Sequence, residues 1–299
     1  MTDRYAVIGN PIAHSKSPQI HKMFAEQTGQ DISYEAILAP LDGFAATIER
    51  LRKEGYKGCN VTVPFKFEAF QLATRLSPHA DIAHAANTLK LNFDGDTIFG
   101  DNTDGFGLVR DITQNLKFKI AGKRVLLLGA GGAADGVALP LSSQQPHQLV
   151  IANRTMEKAQ AIEMKARNTP QLFITPVVSS SYPNLARELI EDLRRGTKTR
   201  ANNLKISKKQ FDLVINATST GLSNEIPPLP HGIFAPGSLA YDMMYGRETP
   251  FMRFARENGA AVVSDGLGML VEQAAESFFI WRGVRPKTSP VISALRKQL

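Results

Sequence analysis

The sequence has a single cysteine, Cys59, and lacks any run of about 18 uninterrupted apolar residues. One cysteine excludes a disulfide within the chain, and its apolar setting, GCNVTVP, predicts a buried thiol rather than a nucleophile. Without a long apolar run, no membrane-spanning helix is expected. The opening stretch, MTDRYAVIGNPIAHSKSP, is apolar over too few residues for a secretion signal. We therefore expect a cytoplasmic protein that makes no use of a membrane.

Basic residues outnumber acidic ones, 35 to 28, which gives a formal net charge of +7. A positive field attracts nucleic acid, an anionic membrane surface or a small anionic ligand, so charge alone does not choose among them. The densest basic cluster has no interleaved aromatic side chains on which bases could stack. It consists of Arg194, Arg195, Lys198, Arg200, Lys205, Lys208 and Lys209. We interpret it as a solvated surface loop and predict no nucleic-acid partner; a basic nucleic-acid-binding protein stays as an alternative that rests on net charge.

Strand and helix patterns alternate along the chain. The first half has a strand at 5–9, a helix from Pro18 to Gly29, a strand at 34–38, a helix at 42–54 and a strand at 58–63. This β, α, β, α, β order predicts a parallel sheet flanked by helices. A second series starts near residue 123 with the apolar strands RVLLL, LVIANRT and FDLVINAT. With 299 residues, the chain is expected to form two α/β domains.

A glycine turn directly follows the strand RVLLL. Gly129, Gly131 and Ala134 satisfy the pattern G-x-G-x-x-G/A, and a helical pattern follows. Glycine allows the tight turn and lets the backbone approach a pyrophosphate at the N-terminus of the helix. The turn predicts a dinucleotide site, while a glycine-rich turn without a ligand remains the alternative.

The residues that end the next strand select the cofactor. About 20 residues after a glycine turn of this kind, NAD sites usually carry an acidic residue, whereas this chain has Asn153, Arg154 and Thr155. A guanidinium pairs with a 2′-phosphate that a carboxylate would repel. We predict NADP rather than NAD, with a surface role for Arg154 as the alternative. Asp135, close to the expected phosphates, is expected to point to solvent.

Two serines precede the first helix. Ser15 and Ser17, in SKSP, stand where the helix N-terminus carries a partial positive charge, which suits a carboxylate ligand. The alternative is ordinary capping of the helix by Ser17, with Ser15 unused.

Eight motifs occur in an order typical of one family: YAVIGNPIAHSKSPQIH, NVTVPFK, AANTL, GDNTDGFG, GAGGAA, NRT, NATSTG and DGLGMLVEQAA. Over nearly its whole length the chain resembles the shikimate dehydrogenases. That resemblance implies a reversible, NADPH-dependent reduction of 3-dehydroshikimate to shikimate, a step of chorismate and aromatic amino acid biosynthesis. It also implies a substrate domain over 1–104 and 270–299, a Rossmann-like NADP domain over 105–269, and an active-site cleft between them.

The resemblance assigns roles to particular residues. Lys66 would be the principal catalytic residue, with Asp104 holding its ammonium in place; an exposed Lys66 at a helix start and a helix-capping Asp104 are the alternatives. The substrate would be surrounded by Ser15, Ser17, Thr62, Asn87, Asp104, Tyr245 and Gln273. The pyrophosphate would lie at Gly129, Ala130, Gly131, Gly132 and Ala133, the adenosine phosphate at Asn153, Arg154 and Thr155, and the nicotinamide near Thr218, Met243 and Gly266. No metal is expected, because His14 and His21 flank a helix without a carboxylate or cysteine cluster.

Two departures from the family pattern stand out: AHAAN precedes Thr88 where a glycine is more common, and the segment between Thr155 and Phe211 is longer than usual. Two further functions stay open. One is a quinate/shikimate dehydrogenase that uses NAD, and the other is a non-catalytic regulatory protein that binds shikimate or NADP. For the NADP-dependent enzyme and for the NAD-dependent alternative, we expect a small-molecule substrate and a monomer or homodimer.

Overall fold

The computed structural model describes residues 2–195, 210–218 and 226–299. The chain forms two compact units, the first from Met1–Asp111 and Gly268–Gln298 and the second from Ile112–Leu267 with Leu299. Residues 198–209 of the basic cluster and 219–221 of the NATSTG motif lie outside the described residues. In the described ranges, no helix is long and apolar enough to cross a membrane.

A mixed sheet forms the centre of the first unit. Its described strands are β1 (Asp3–Gly9), β2 (Ile32–Leu38), β3 (Gly58–Val61), β4 (Arg75–Leu76), β5 (Thr88–Lys90) and β6 (Phe99–Asp101), in the spatial order β2-β1-β3-β5-β6-β4. β1 runs parallel to β2 and β3, and β4 runs parallel to β6, whereas β5 is antiparallel to both of its neighbours. The sheet is therefore mainly parallel, as the alternating pattern predicts.

Helices cover this sheet. In the described part of the first unit they are α1 (Ser17–Thr28), α2 (Phe44–Lys53), α3 (Lys66–Leu72), α4 (Pro78–Ala83), α5 (Asp104–Arg110), α10 (Leu267–Arg282, whose first residue belongs to the second unit) and α11 (Ser289–Arg296). A π-helical turn, Asp111–Asn115, follows α5. α1 ends where Gly29 adopts a left-handed φ of 64°, which favours glycine.

The core of the first unit explains the apolar run in β1. All five residues from Tyr5 to Gly9 are buried, because a parallel strand with helices on both faces has no exposed side. Ile8, Leu51, Phe65 and Leu89 belong to one buried cluster that joins strands to α2 and α3. Each such large apolar side chain stabilises the fold by about 1.5–3 kcal/mol.

The second unit contains a parallel sheet. Its described strands are β7 (Arg124–Leu128), β8 (Gln148–Asn153), β9 (Val177–Ser181), β10 (Phe211–Asn216), β11 (Phe234–Asp242) and β12 (Val262–Ser264), in the order β12-β11-β10-β7-β8-β9. Every neighbouring pair is parallel. Numbered within the unit, this is the 3-2-1-4-5-6 order of dinucleotide-binding sheets, whose ligands bind at the carboxyl ends of the strands where the order reverses. The predicted Rossmann-like fold is confirmed.

The described helices of the second unit are α6 (Gly132–Ser142), α7 (Met156–Asn168), α8 (Tyr182–Arg195) and α9 (Pro250–Glu257). Its core gathers Leu126, Val150, Val214 and Ala240 from four neighbouring strands, together with Phe251 of α9. The strand reversal lies between β7 and β10, next to the glycine turn that connects β7 to α6.

Candidate active site

Lys66 and Asp104 form an ion pair in the first unit. Each is the first residue of its helix, α3 and α5 respectively. Lys66 Nζ lies 2.5 Å from Asp104 Oδ2, with the two side chains 31% and 14% exposed. Lys66 is thus held by a carboxylate and still reaches solvent. The capping interpretation of Asp104 is wrong, because Thr103 occupies the N-cap of α5.

The amide of Asn87 holds the other oxygen of the same carboxylate. Asn87 Nδ2 donates to Asp104 Oδ1 at 2.8 Å and to Gln273 Oε1 at 3.3 Å. Asn87 is only 3% exposed, so little water competes for these bonds. The structure therefore brings four of the predicted residues together around one carboxylate: Lys66, Asn87, Asp104 and Gln273.

Ser15 and Ser17 precede α1, but their arrangement differs from helix capping by Ser17. Lys16 occupies the N-cap position without a side-chain hydrogen bond, and Ser17 is the first helical residue. Ser15 Oγ instead accepts a hydrogen bond from the Ser17 N–H at 3.3 Å. The capping interpretation is therefore wrong, since Ser15 rather than Ser17 satisfies a free N–H at this helix start.

Ser17 also borders a buried tyrosine. Burial raises the pKa of Tyr34 well above its usual range, and the nearby Ser17 side chain opposes this rise only in part. The Tyr34 hydroxyl donates to Asn60 Oδ1 at 2.8 Å. Ser17 therefore lies near a tyrosine whose hydroxyl is bonded to the polar interior of the first unit.

Thr62 and Tyr245 are placed in different units. Thr62 follows β3, which ends at Val61 and thus earlier than predicted, because the Thr62 carbonyl accepts the Phe65 N–H in a turn. Gly9 leaves room for Thr62, since a Cβ at Gly9 would come within 2.5 Å of Thr62 Cγ2. Tyr245 lies after β11 in the second unit, where burial raises the pKa of its hydroxyl.

The glycine turn of the second unit opens into a cavity. Gly129 has a φ of 101°, a left-handed conformation that favours glycine, and Gly131 occupies the N-cap of α6. A Cβ added to Gly131 or Gly132 would meet no atom within 4 Å, so the turn faces open space. The cavity measures about 510 Å³ and is lined by Gly129, Ala130, Gly131, Gly132, Ala133, Asn153, Arg154, Thr155, Lys158, Tyr182, Ala217, Thr218, Ile226, Pro227 and Pro228.

Two cations are among the residues that line this cavity. Arg154 and Lys158 are exposed, and among the described residues no carboxylate pairs with either. Asn153 Nδ2 donates to the Thr155 carbonyl at 2.8 Å, which closes the turn that carries Arg154. Sequence reasoning missed Lys158, although its spacing of four residues from Arg154, at the start of a helix, was a usable signal.

The prediction that Asp135 points to solvent is wrong, because its carboxylate is paired with Lys165. Lys165 Nζ lies 2.7 Å from Asp135 Oδ2 and 2.9 Å from Oδ1, and the two side chains are 22% and 21% exposed. The α7 lysine thus neutralises the one acid in the first turn of α6, which removes the conflict between that acid and a bound phosphate.

Thr218, Met243 and Gly266 are organised around Asn216, the last residue of β10. Asn216 Oδ1 accepts from Thr218 Oγ1 at 2.7 Å, and its carbonyl accepts from the Met243 N–H at 3.0 Å. Gly266 packs on Met243 so closely that a Cβ would lie 2.3 Å from the Met243 carbonyl oxygen. Buried Asp242 accepts from Asn216 Nδ2 at 3.2 Å, and burial raises the pKa of its carboxyl although three hydrogen bonds oppose the rise.

His21 lies inside α1 and is fully buried, so the prediction that it flanks a helix is wrong. Its ring stacks on Tyr34 with centroids 4.1 Å apart, and neither ring nitrogen has a hydrogen-bond partner among the described residues. Burial lowers the pKa of His21 to about 3, and Asn60, which faces the ring without bonding to it, opposes this only in part.

Cys59 is free and buried, as predicted, and burial raises the pKa of its thiol. In the part of the chain that the structure describes, no group of three His, Cys, Asp or Glu side chains is placed to hold a metal ion.

Three family models match the chain. The model described as the shikimate dehydrogenase substrate binding domain matches residues 7–89, and that described as shikimate / quinate 5-dehydrogenase matches residues 110–175. The model described as the shikimate 5′-dehydrogenase C-terminal domain matches residues 266–296. Together they cover more than half of the sequence.

Curated relatives match over nearly their full lengths. A protein of Methylobacillus flagellatus named shikimate dehydrogenase (NADP(+)) is 58% identical over 294 residues, covering 98% of this chain and 99% of the relative. A protein of Dechloromonas aromatica with the same name is 55% identical, covering 100% of this chain and 99% of the relative.

Solved structures share the fold. An Ael1 enzyme from Pseudomonas putida is 47% identical with a TM-score of 0.84, covering 98% of both chains. Shikimate 5-dehydrogenase from Thermus thermophilus, solved with NADP(H) and shikimate, is 31% identical with a TM-score of 0.79 and full coverage of both chains.

Proposed function

The chain belongs to the shikimate dehydrogenase family and carries out the reversible NADPH-dependent reduction of 3-dehydroshikimate to shikimate; we propose that Lys66 and Asp104 perform its proton transfer. The observation that carries this assignment is the 2.5 Å ion pair between the two side chains. The ion pair lies beside the side-chain amides of Asn87 and Gln273, which can form hydrogen bonds with the hydroxyl groups of a ring.

The carbonyl reduction needs a hydride on carbon and a proton on oxygen. NADPH, when bound, supplies the hydride. The Lys66 ammonium gives its proton to the oxygen as negative charge develops there, and Asp104 keeps that ammonium in position. Because Lys66 is 31% exposed, it regains a proton from solvent, and in the reverse direction it accepts the hydroxyl proton.

Ser15, Ser17, Thr62 and Tyr245 complete the proposed substrate contacts. The serine hydroxyls and the N-terminus of α1 provide donors and a partial positive charge for the ring carboxylate. The first unit is accordingly the proposed substrate domain, and the second unit the NADP domain.

The residues of the second unit fit NADP. The turn from Gly129 to Ala133 leaves the space that a pyrophosphate needs at a helix N-terminus, and a Cβ at Gly131 or Gly132 would meet nothing. Arg154 and Lys158, without carboxylate partners among the described residues, are the cations for the 2′-phosphate. Thr218, Met243 and Gly266 are proposed to border the nicotinamide.

A substrate and cofactor matrix tests the function. Purified protein is given shikimate or quinate with NADP or NAD, and nicotinamide absorbance is followed. Turnover of shikimate with NADP is expected to exceed every other combination. Preference for quinate and NAD would favour the quinate/shikimate alternative, and binding without turnover would favour the regulatory protein.

Replacing Arg154 by alanine should raise the KM for NADP about 10-fold and leave the KM for NAD within about twofold, because only NADP carries the 2′-phosphate. The double variant Arg154→Ala/Lys158→Ala should raise the KM for NADP further. Arg167→Ala, which removes an exposed cation of α7 outside the cavity, is the matched control. Equal changes for NADP and NAD would contradict the assignment.

We place the protein in the cytoplasm as a monomer or homodimer whose partners are small molecules, without nucleic acid or membrane. Size-exclusion chromatography with light scattering tests the oligomeric state, and a single species larger than a dimer would contradict it.

A further inference from the structure

Behind the ion pair lies a buried network of polar side chains. Each member is no more than 6% exposed. The members are Asn60 in β3, Asn87 just before β5, Thr88 in β5, Thr103 just before α5, and Ser277 in α10. We propose that Thr88 and Ser277 are positioning residues of the reaction, which hold the Asn87 amide in the orientation that donates to Asp104. This inference rests on the proposed roles of Lys66 and Asp104.

Asn87 can serve Asp104 in only one of its two amide orientations. Its Nδ2 donates to Asp104 Oδ1 at 2.8 Å, while its Oδ1 accepts from the Thr103 N–H at 2.9 Å. A flipped amide would place an oxygen against the carboxylate and an NH₂ group against the N–H. The orientation thus decides whether Asp104 is held or repelled.

Thr88 adds a second donor to the correct orientation. Its Oγ1 donates to Asn87 Oδ1 at 2.9 Å. A hydroxyl has one proton, so Thr88 can direct it to Asn87 only if its other neighbours donate to Thr88. Asn60 Nδ2 does so at 3.1 Å, and Ser277 Oγ lies 2.7 Å from Thr88 Oγ1.

The direction of donation is set further back by Tyr34. Its hydroxyl donates to Asn60 Oδ1 at 2.8 Å, which leaves the Asn60 NH₂ group facing Ser277, Thr88 and the Asn87 carbonyl. Burial keeps the Tyr34 pKa high, so its oxygen retains the proton to donate. The donors therefore point in sequence from Tyr34 through Asn60 and Thr88 to Asn87 and Asp104.

Ser277 connects this series to the substrate side of α10. Its Oγ accepts from Asn60 Nδ2 at 2.9 Å and directs its single proton to Thr88 Oγ1 at 2.7 Å, while the Gln273 carbonyl, at 3.0 Å, is the competing acceptor. The side chain of that same Gln273 accepts from Asn87. Loss of the Ser277 hydroxyl would remove the nearest of the three acceptors of the Asn60 NH₂ group and, with it, the donor that leaves the Thr88 proton free for Asn87. Water does not reach this site to replace that donor.

Kinetics of the full chain test the proposal. We expect Thr88→Val, which keeps the side-chain volume, and Ser277→Ala each to lower kcat for shikimate on the order of 10-fold, with KM within about twofold. Thr88→Ser, which keeps the hydroxyl, should restore kcat to within about twofold of the parent. Thr47→Val is the matched control, since Thr47 is a buried threonine of the same unit whose hydroxyl donates to the Gly43 carbonyl at the start of its own helix.

A double-mutant cycle separates positioning from mere stability. In an Asn87→Ala background, Thr88→Val should cause no further loss of kcat, because the group it positions is absent. Equal losses in both backgrounds, or losses no larger than those of Thr47→Val, would overturn the inference. A parent protein without shikimate turnover would instead overturn the proposed function.

Discussion

Replacing Lys66 by alanine is expected to lower kcat for shikimate oxidation about 10³-fold, within the range that positioned acid–base groups contribute. The variant loses the group that takes the hydroxyl proton, and it leaves the Asp104 carboxylate without the ammonium 2.5 Å away. KM for NADP should stay within about twofold, because the proposed cofactor residues lie in the second unit.

The controls separate chemistry from charge. Lys53→Ala removes an exposed lysine of the same unit that pairs with Glu49 on the surface, and its kcat should match the parent. Asp104→Asn keeps the shape of the side chain but not its charge, and it should lose most of the activity as well. A Lys66→Ala protein within 10-fold of the parent kcat would show that another group transfers the proton.

Acid is expected to destabilise the protein through His21. The folded-state pKa of about 3 lies below the unfolded value of about 6.5, so the unfolded chain takes up a proton first. The stabilisation that comes from the neutral, buried His21 is present in full above pH 6.5 and is lost progressively as the pH falls from there towards 3. Between pH 7 and pH 5 the loss is about 2 kcal/mol, and it grows as the pH falls further.

Urea unfolding at pH 7, 6 and 5 measures this effect. His21→Phe keeps an aromatic ring against Tyr34 but has no titrating group, so its unfolding free energy should fall by about 2 kcal/mol less than that of the parent over this interval. His14→Gln, which changes an exposed histidine, should follow the parent. Parallel pH profiles for the parent and His21→Phe would disprove the role of His21.

Local pattern was sufficient to predict the parts of the molecule that depend on neighbours in sequence. The glycine turn, the left-handed end of α1 at Gly29 and the alternation of strands and helices follow from backbone geometry and periodicity. The resemblance then identified Lys66 and Asp104, which the fold places 2.5 Å apart although 38 residues separate them.

Features that depend on distant neighbours escaped prediction. Asn60 and Ser277 are hydrogen-bonded across 217 residues, and neither belongs to a pattern with a period. The pairing of Asp135 with Lys165 depends on how α6 and α7 meet, and the burial of His21 depends on the aromatic rings packed around it. A sequence presents these side chains as ordinary polar residues because their partners are chosen by the tertiary fold.

The burial of Cys59 has a practical consequence for chemical labelling. Alkylating reagents attack thiolates, and this thiol is both inaccessible and held in its protonated form. A cysteine introduced at an exposed position would therefore be the sole site that a maleimide probe modifies in the native protein. Fluorophores or spin labels for distance measurements could be attached singly or in pairs without first removing the native cysteine.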